Sequence, residues 1–199
     1  MAAKASKRPV KFLGIAGSLR QGSYNRGLIR AAVELAPDGI TVQPYTLDDV
    51  PFYNGDLEAQ GDPEPVARFK RAIGAADALL IATPEYNHCV PGVLKNAIDW
   101  ASRPPRNSVL TDKPIGIMGA TTGRGGTARA QAQLRDGLSY TRGLVLPLPE
   151  VLVPLAEDKF DGDVNLLDPE TRAEIRDLLK ALAAWVRKLQ ASVDQAVAS

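Results

Sequence analysis

The stretch that decides the fold is residues 10–36, which read "VKFLGIAGSLRQGSYNRGLIRAAVELA". An apolar run bounded by glycine predicts a strand over 10–17, and helical periodicity predicts a helix over 25–36. The connecting loop concentrates polar side chains, namely Ser18, Arg20, Ser23 and Asn25. Because the N-terminus of a helix carries unpaired N–H groups and a partial positive charge, this loop is a candidate anion site.

The loop lacks the two common nucleotide-binding patterns. No Gly-Lys-Ser/Thr follows it, and its glycines do not form G-x-G-x-x-G. A single terminal phosphate therefore fits it better than a pyrophosphate does. A plainer interpretation stays open for each residue alone, in which Ser23 only caps the helix and Arg20 is solvated.

Strands and helices alternate along the rest of the chain. We predict strands over 40–46, 77–84, 114–120 and 143–149, helices over 64–76, 91–102, 126–141 and 168–193, and a long loop over 48–63. Pro44 indicates an edge strand, and the last helix has Asp168 as N-cap and Pro169 at its first position. This alternation predicts an α/β fold with a parallel sheet between helices, in which ligands bind beyond the carboxyl ends of the strands.

Composition excludes several classes of protein. The 199 residues suit one domain, which we place at 10–193 after a flexible tail at 1–9. A net charge of +1 and no apolar run of about 18 residues predict no nucleic-acid partner and no membrane insertion. The only cysteine, Cys89, cannot form an internal disulfide, and with no apolar leader segment we expect a cytoplasmic protein. The only histidine, His88, allows neither a metal site nor a convincing Ser–His–acid triad.

Two further polar loops follow predicted strands. "TPEYNHCVPG" at 83–92 offers a tyrosine face and an amide for a planar heterocycle, and "GATTGRGGT" at 119–127 offers a nest of backbone N–H groups. An ordinary turn with a helix cap would also explain part of the first loop, and glycine loops are common. His88 lies either at the rim of the pocket or on the plain surface, and Cys89 is most simply a small apolar filler.

The segments "GSLRQGSYN", "PEYNHCVPGVLKNAIDWASR" and "TTGRGGTAR" resemble the NAD(P)H-dependent FMN reductase family, especially its bacterial quinone and chromate reductase branch. The resemblance spans about residues 10–190. It implies a flavodoxin-like three-layer α/β/α sandwich, with a five-stranded parallel sheet in the order 2-1-3-4-5 and non-covalent FMN. The implied contacts are Ser18, Arg20, Ser23 and Asn25 at the phosphate, Tyr24 against the cofactor, Pro84, Glu85, Tyr86 and Asn87 along the isoalloxazine, and Thr121, Thr122 and Gly123 from the third loop.

The resemblance also implies the chemistry. NADPH or NADH would pass a hydride to FMN, and a quinone or similar small molecule would then be reduced in a ping-pong cycle without a catalytic side chain or a metal. Chromate and azo compounds are further expected acceptors, and a homodimer or homotetramer is expected, with "LKNAIDWASR" at the subunit contact. The alternatives are a non-enzymatic flavodoxin-type electron shuttle or redox-sensing flavoprotein, and a bare phosphate-binding domain.

Overall fold

The structure, a computed structural model, describes residues 8–197 and the side chains up to residue 192. Residues 1–7 of the expected tail therefore lie outside the described residues. At the first described position, both terminal guanidinium nitrogens of Arg8 donate to the Asp77 carboxylate, at 2.9 and 2.6 Å.

The sheet has the predicted parallel order. Its strands are β1 Val10–Ala16, β2 Ile40–Tyr45, β3 Ala78–Ala82, β4 Pro114–Ala120, β5 Leu144–Val145 and β6 Val151–Val153. They form one sheet in the order β2-β1-β3-β4-β5, with β6 also paired to β4. The flavodoxin-like order is confirmed, and β2 is the edge strand that Pro44 indicated.

The fifth strand differs from the sequence prediction. Instead of one strand over 143–149, β5 pairs with the start of β4 and β6 pairs with its end, so the sheet has 6 strands. Pro147 and Pro149 lie between the two pieces. Proline has no N–H to donate to a ladder, so the strand cannot run through this segment. The prediction was wrong beyond Val145.

The helices cover both faces of the sheet. They are α1 Tyr24–Leu35, α2 Gly55–Glu58, α3 Glu64–Ala75, α4 Gly92–Ala101, α5 Ala128–Tyr140 and α6 Pro169–Val197. One apolar core lies under α1 and α6 and a second lies under α3, α4 and α5. Adjacent residues of β3 enter opposite cores, Leu79 the second and Leu80 the first, which explains its continuous apolar sequence. Among the helices within 8–197, none combines the length and the apolarity that crossing a bilayer requires.

Helix α6 begins as predicted. The Asp168 carboxylate accepts a hydrogen bond from the backbone N–H of Thr171 at 2.9 Å, as an N-cap does. Hydrogen bonds from the Thr171 hydroxyl and from Lys159 lower the pKa of Asp168 to about 2. This carboxyl group is therefore charged throughout the physiological pH range.

The segment between β2 and α3 is an ordered loop that contains the short helix α2. Helix α4 fixes its backbone, because Asn96 Nδ2 and Trp100 Nε1 both donate to the Pro51 carbonyl, at 2.9 and 2.8 Å. The Tyr53 N–H donates to Asn96 Oδ1 at 2.7 Å. Phe52, between the two fixed residues, is 83% exposed.

Candidate functional site

Three loops meet at one edge of the sheet. Loop 1 (17–23) follows β1, loop 2 (83–91) follows β3, and loop 3 (121–127) follows β4. Because β1, β3 and β4 are neighbours and parallel, their carboxyl ends bring the loops together. The chain leaves β1 for β2 on one side and pairs β1 with β3 on the other, so the loops lie at the topological switch point.

Loop 1 and the first turn of α1 present hydrogen-bond donors that have no partner within residues 8–197. Ser23 is the N-cap residue of α1 and only 2% exposed, yet its hydroxyl makes no capping bond. Among the described residues, the backbone amides of Tyr24, Asn25 and Arg26 have no hydrogen-bond partner. Arg20 lies 5.8 Å from the Tyr24 ring centroid and belongs to no salt bridge of the described residues. Loop 1 therefore combines free amides, a free hydroxyl and an uncompensated cation.

The Asn25 side chain has another partner. Its Nδ2 donates to the Ala120 carbonyl at 2.9 Å, and the Ala120 N–H donates to its Oδ1 at 3.0 Å. The ladder between β3 and β4 ends at the pair Ala82 and Met118. Beyond it, the Asn25 side-chain amide forms the hydrogen bonds with the backbone of β4 that a neighbouring strand would otherwise form. Asn25 therefore joins loop 1 to the start of loop 3, and only its backbone N–H is available to an anion.

Loop 2 contains a two-residue hairpin, residues 86–89. The Cys89 N–H donates to the Tyr86 carbonyl at 2.9 Å, and the Tyr86 N–H donates to the Cys89 carbonyl at 3.2 Å. Asn87 and His88 between them have φ of 51° and 62°, and positive φ at both central residues is what a type I′ turn requires. His88 is exposed on this turn. Cys89 is also exposed, so the expectation that it fills a core position was wrong.

Glu85 connects loop 2 to the helix that follows loop 3. Its Oε2 accepts from the backbone N–H groups of Arg129 and Ala130, both at 3.0 Å, in the first turn of α5. The N-cap residue Thr127 makes no side-chain cap bond, so the Glu85 carboxylate serves as the cap. The side chain of Glu85 is 10% exposed. Glu85 can therefore reach a ligand through its backbone, while its carboxylate fixes the distance between loops 2 and 3.

Tyr86 extends from loop 2 to loop 1. Its hydroxyl oxygen lies 3.3 Å from Ser18 Oγ, and its side chain is half exposed. Ser18 itself is buried and also accepts a hydrogen bond from the Arg20 N–H at 3.3 Å. A tyrosine held at its hydroxyl end with much of its ring open to solvent provides a flat wall against which a ring system can pack.

Loop 3 has a fixed base and a free rim. The Thr121 N–H donates to the Val153 carbonyl at 3.0 Å, and Thr121 Oγ1 accepts from the Gly123 N–H at 3.3 Å. Among the described residues, the amides of Thr122 and Arg124 have no hydrogen-bond partner, and both residues are exposed. The predicted residues Thr121, Thr122 and Gly123 thus surround a patch of free N–H groups.

Gly119 allows loops 2 and 3 to approach each other. A Cβ atom at this position would overlap the Thr83 carbonyl oxygen and the Thr127 hydroxyl. Thr127 is fully buried and has a left-handed φ of 70°, so it has little freedom to move aside. The junction of the two loops therefore requires glycine.

The fold and these loops define a class of protein: a flavodoxin-like chain with a site for a planar ligand that ends in a phosphate. Loops 1 and 3 supply donors for anionic and carbonyl groups, and loop 2 supplies an aromatic wall. The residues present therefore fit FMN. Among the described residues, His, Cys, Asp and Glu side chains form no cluster of three that could hold a metal ion.

Known proteins agree with this class. The family described as NADPH-dependent FMN reductase matches residues 10–158. An NAD(P)H-dependent FMN reductase of Pseudomonas aeruginosa is 49% identical over 181 residues, which cover 91% of this chain and 97% of that protein. A 2-hydroxy-1,4-benzoquinone reductase of a Burkholderia species is 39% identical over 178 residues, 89% of this chain and 97% of the relative. The solved structure of the flavoenzyme NAD(P)H:acceptor oxidoreductase FerB from Paracoccus denitrificans superposes with a TM-score of 0.81 at 34% identity, covering 90% of this chain and 98% of FerB.

The chain belongs to the NADPH-dependent FMN reductase family. It is an oxidoreductase with FMN as cofactor and NAD(P)H as electron donor. Of the alternatives that the sequence left open, this supports the enzyme over an electron shuttle or a bare phosphate-binding domain.

Proposed function

We propose that the protein reduces quinones with electrons from NAD(P)H, and that FMN binds where loops 1, 2 and 3 meet. The observation that carries this proposal is the set of unpaired donors at the start of α1, which suits a phosphate monoester: free amides, the Ser23 hydroxyl and Arg20. When held there, FMN would supply the hydride chemistry that links NAD(P)H to the acceptor.

The protein's own residues bind and orient the reactants. The proposed contact set is the one that the sequence indicated, namely Ser18, Arg20, Ser23, Tyr24, Asn25, Pro84, Glu85, Tyr86, Asn87, Thr121, Thr122 and Gly123. Within it, Asn25 and Glu85 act through their backbone and through the spacing of the loops that their side chains maintain. Orientation of two stacked rings lowers a barrier without a general acid or base.

Quinones suit the exposed chemistry around the site. Leu19 on loop 1 is 46% exposed and Tyr86 on loop 2 is 50% exposed, so the rim offers apolar surface to a flat, neutral acceptor. Similar proteins include the Burkholderia benzoquinone reductase and an NAD(P)H:quinone oxidoreductase of Solanum tuberosum, 42% identical over 192 residues, 94% of this chain and 97% of that protein. Chromate is proposed as a further acceptor, since the exposed Arg124 on loop 3 would attract an oxyanion, and azo compounds are proposed because they can present flat, neutral ring systems to the same rim.

Anaerobic turnover tests the acceptor. Purified protein with FMN is mixed with NADH or NADPH and the oxidation of the nicotinamide is followed with 1,4-benzoquinone, with chromate and with neither. We expect fast oxidation with the quinone and slower oxidation with chromate. A rate with the quinone no higher than the rate without an added acceptor would refute the proposed acceptor.

We also propose a homodimer or homotetramer that associates through the α4–α5 groove, a cleft of about 670 Å³ between these two helices. Its apolar lining includes Ile98, Leu134 and Tyr140, and Tyr140 is 91% exposed. Lys95 and Asp99 lie one turn apart in the same cleft. Lys95 Nζ donates to the Asp99 carboxylate at 2.7 Å within the chain, so the cleft presents a paired cation and anion, and in a two-fold contact a second copy would contribute the same surface.

Only part of the segment "LKNAIDWASR" can meet a partner. Lys95, Asp99 and Arg103 line the α4–α5 groove, whereas Asn96 and Trp100 face inward and hold the loop at Pro51. Sedimentation velocity tests the contact: Tyr140→Glu should shift the protein toward the monomer.

We further propose a single domain over 10–193 in the cytoplasm, where the exposed thiol of Cys89 would stay reduced.

A further inference from the structure

The hairpin 86–89 is held by one side chain of helix α5. Gln133 Nε2 donates to the His88 carbonyl at 3.3 Å, and Gln133 Oε1 accepts from the Val90 N–H at 3.1 Å. Among the described residues, no other side chain forms a hydrogen bond with the backbone of residues 86–90. Gln133 therefore connects the hairpin backbone to the rest of the fold.

The hairpin depends on such an external contact. Two consecutive non-glycine residues, Asn87 and His88, have left-handed φ, which costs each residue conformational free energy. The turn itself supplies only the two hydrogen bonds between Tyr86 and Cys89. A two-residue hairpin with so few bonds is marginal in water, so it needs contacts with the rest of the fold, and Gln133 supplies those to its backbone while Ser18 meets the Tyr86 hydroxyl.

Gln133 is not part of the proposed FMN contact set. It is exposed and, with Val90, lines the α4–α5 groove. Its two hydrogen bonds join this groove to the segment that carries Tyr86, whose hydroxyl reaches Ser18 in loop 1. A substitution of Gln133 should therefore alter the position of Tyr86, although no residue of the proposed FMN contact set is replaced.

We propose that Gln133 is a positioning residue, which holds the hairpin 86–89 from the groove side so that Tyr86 faces the flavin site. The proposal deepens the proposed function and rests on FMN binding at the three loops. It separates two tasks of α5: its first turn receives the Glu85 carboxylate, and its second turn holds the hairpin.

The test uses Gln133→Ala, Gln133→Glu and Gln60→Ala in the full chain. Gln60 is the matched control, an exposed glutamine whose amide donates to the Asp56 carbonyl at 3.0 Å in another loop. Hydrogen exchange of the Cys89 and Val90 amides is measured in flavin-free protein, FMN affinity is measured by fluorescence titration, and unfolding is measured in urea. The exchange measurement does not depend on FMN.

We expect Gln133→Ala to accelerate exchange at both amides and to weaken FMN binding about two- to tenfold, the effect of one hydrogen bond of ordinary net strength. Its urea midpoint should equal that of the parent, because its hydrogen bonds go to the backbone of loop 2 and none goes to the elements that form the two apolar cores. Gln133→Glu keeps the acceptor for the Val90 N–H, so its exchange rates and FMN affinity should lie between those of the parent and of Gln133→Ala. Gln60→Ala should change neither the exchange of the Cys89 and Val90 amides nor the FMN affinity.

Each contrary result has its own meaning. Unchanged exchange in Gln133→Ala would overturn the claim that Gln133 holds the hairpin. Faster exchange with unchanged FMN affinity would overturn its connection to the flavin site. A parent protein that binds no FMN would overturn the proposed function and the positioning role toward flavin together, and the exchange result would still decide whether Gln133 holds the hairpin.

Discussion

Replacing Asn25 by alanine should destabilise the fold strongly, although Asn25 is a polar residue of a ligand-binding loop. Its side chain is 2% exposed and forms two hydrogen bonds with the backbone of Ala120, which is also 2% exposed. The substitution leaves a buried N–H and a buried C=O without partners, and each costs about 1–3 kcal/mol. The higher helix propensity of alanine returns about 0.6 kcal/mol. We therefore expect a loss of about 1.5–5.5 kcal/mol in the free energy of unfolding.

Urea denaturation of flavin-free protein measures this loss at constant m-value, and the melting temperature should fall by about 3–22 °C for a chain of this size. Asn107→Ala is the matched control, because Asn107 is exposed and should change stability by less than about 0.5 kcal/mol. Asn25→Asp should be at least as damaging as alanine, since a carboxylate cannot donate to the Ala120 carbonyl. If Asn25→Ala unfolds at the same urea concentration as Asn107→Ala, the bridging role is refuted.

Three further changes test other parts of the structure. Arg20→Ala should weaken FMN binding about tenfold to a hundredfold through loss of a charge-assisted contact and leave riboflavin affinity unchanged; equal losses for both ligands in fluorescence titrations would contradict a phosphate contact. Gly119→Ala should prevent stable folding, visible by circular dichroism, because its methyl group would overlap Thr83; a native spectrum and melting curve would refute the close approach. The pKa of Asp168 lies near 2, below its usual value, so the charged carboxylate stabilises the folded state. It contributes at most about 2 kcal/mol to the free energy of unfolding, in full above about pH 4, and this contribution is lost as the pH falls toward 2. Asp168→Asn should remove that part of the acid dependence in urea titrations at pH 5 and pH 2.5, and an unaltered dependence would assign it to other carboxylates.

Local patterns in the sequence predicted most elements of the fold. The helix expected over 25–36 lies at Tyr24–Leu35, and the strand expected over 114–120 has those bounds. The helix carries a 3.6-residue apolar periodicity, and the strand is a short, continuous apolar run that is buried at every position. The prediction of one strand over 143–149 was wrong because the apolar side chains of this segment are accompanied by Pro147 and Pro149, which interrupt the ladder.

The site was harder to predict than the fold. The sequence located its three loops, because polar clusters follow buried strands, but the family resemblance implied that Asn25 contacts the phosphate and that Glu85 lines the isoalloxazine. Their partners lie 95 and 44 residues away in the chain, and no local pattern reveals an unpaired backbone group at such a distance. Gln133 was missed for the same reason, since an exposed glutamine on a helix carries no signal of a loop that folds against it.

In the loop before α2, two residues with a fixed backbone, Pro51 and Tyr53, flank an exposed side chain, that of Phe52. Asn96 and Trp100 fix the backbone at Pro51 and Tyr53, while the aromatic ring between those two residues lies almost wholly in solvent. Saturation mutagenesis at Phe52 would therefore vary one side chain on a rigid platform at little cost in stability. Position 52 should therefore tolerate nearly every amino acid in a laboratory-evolution experiment on this protein.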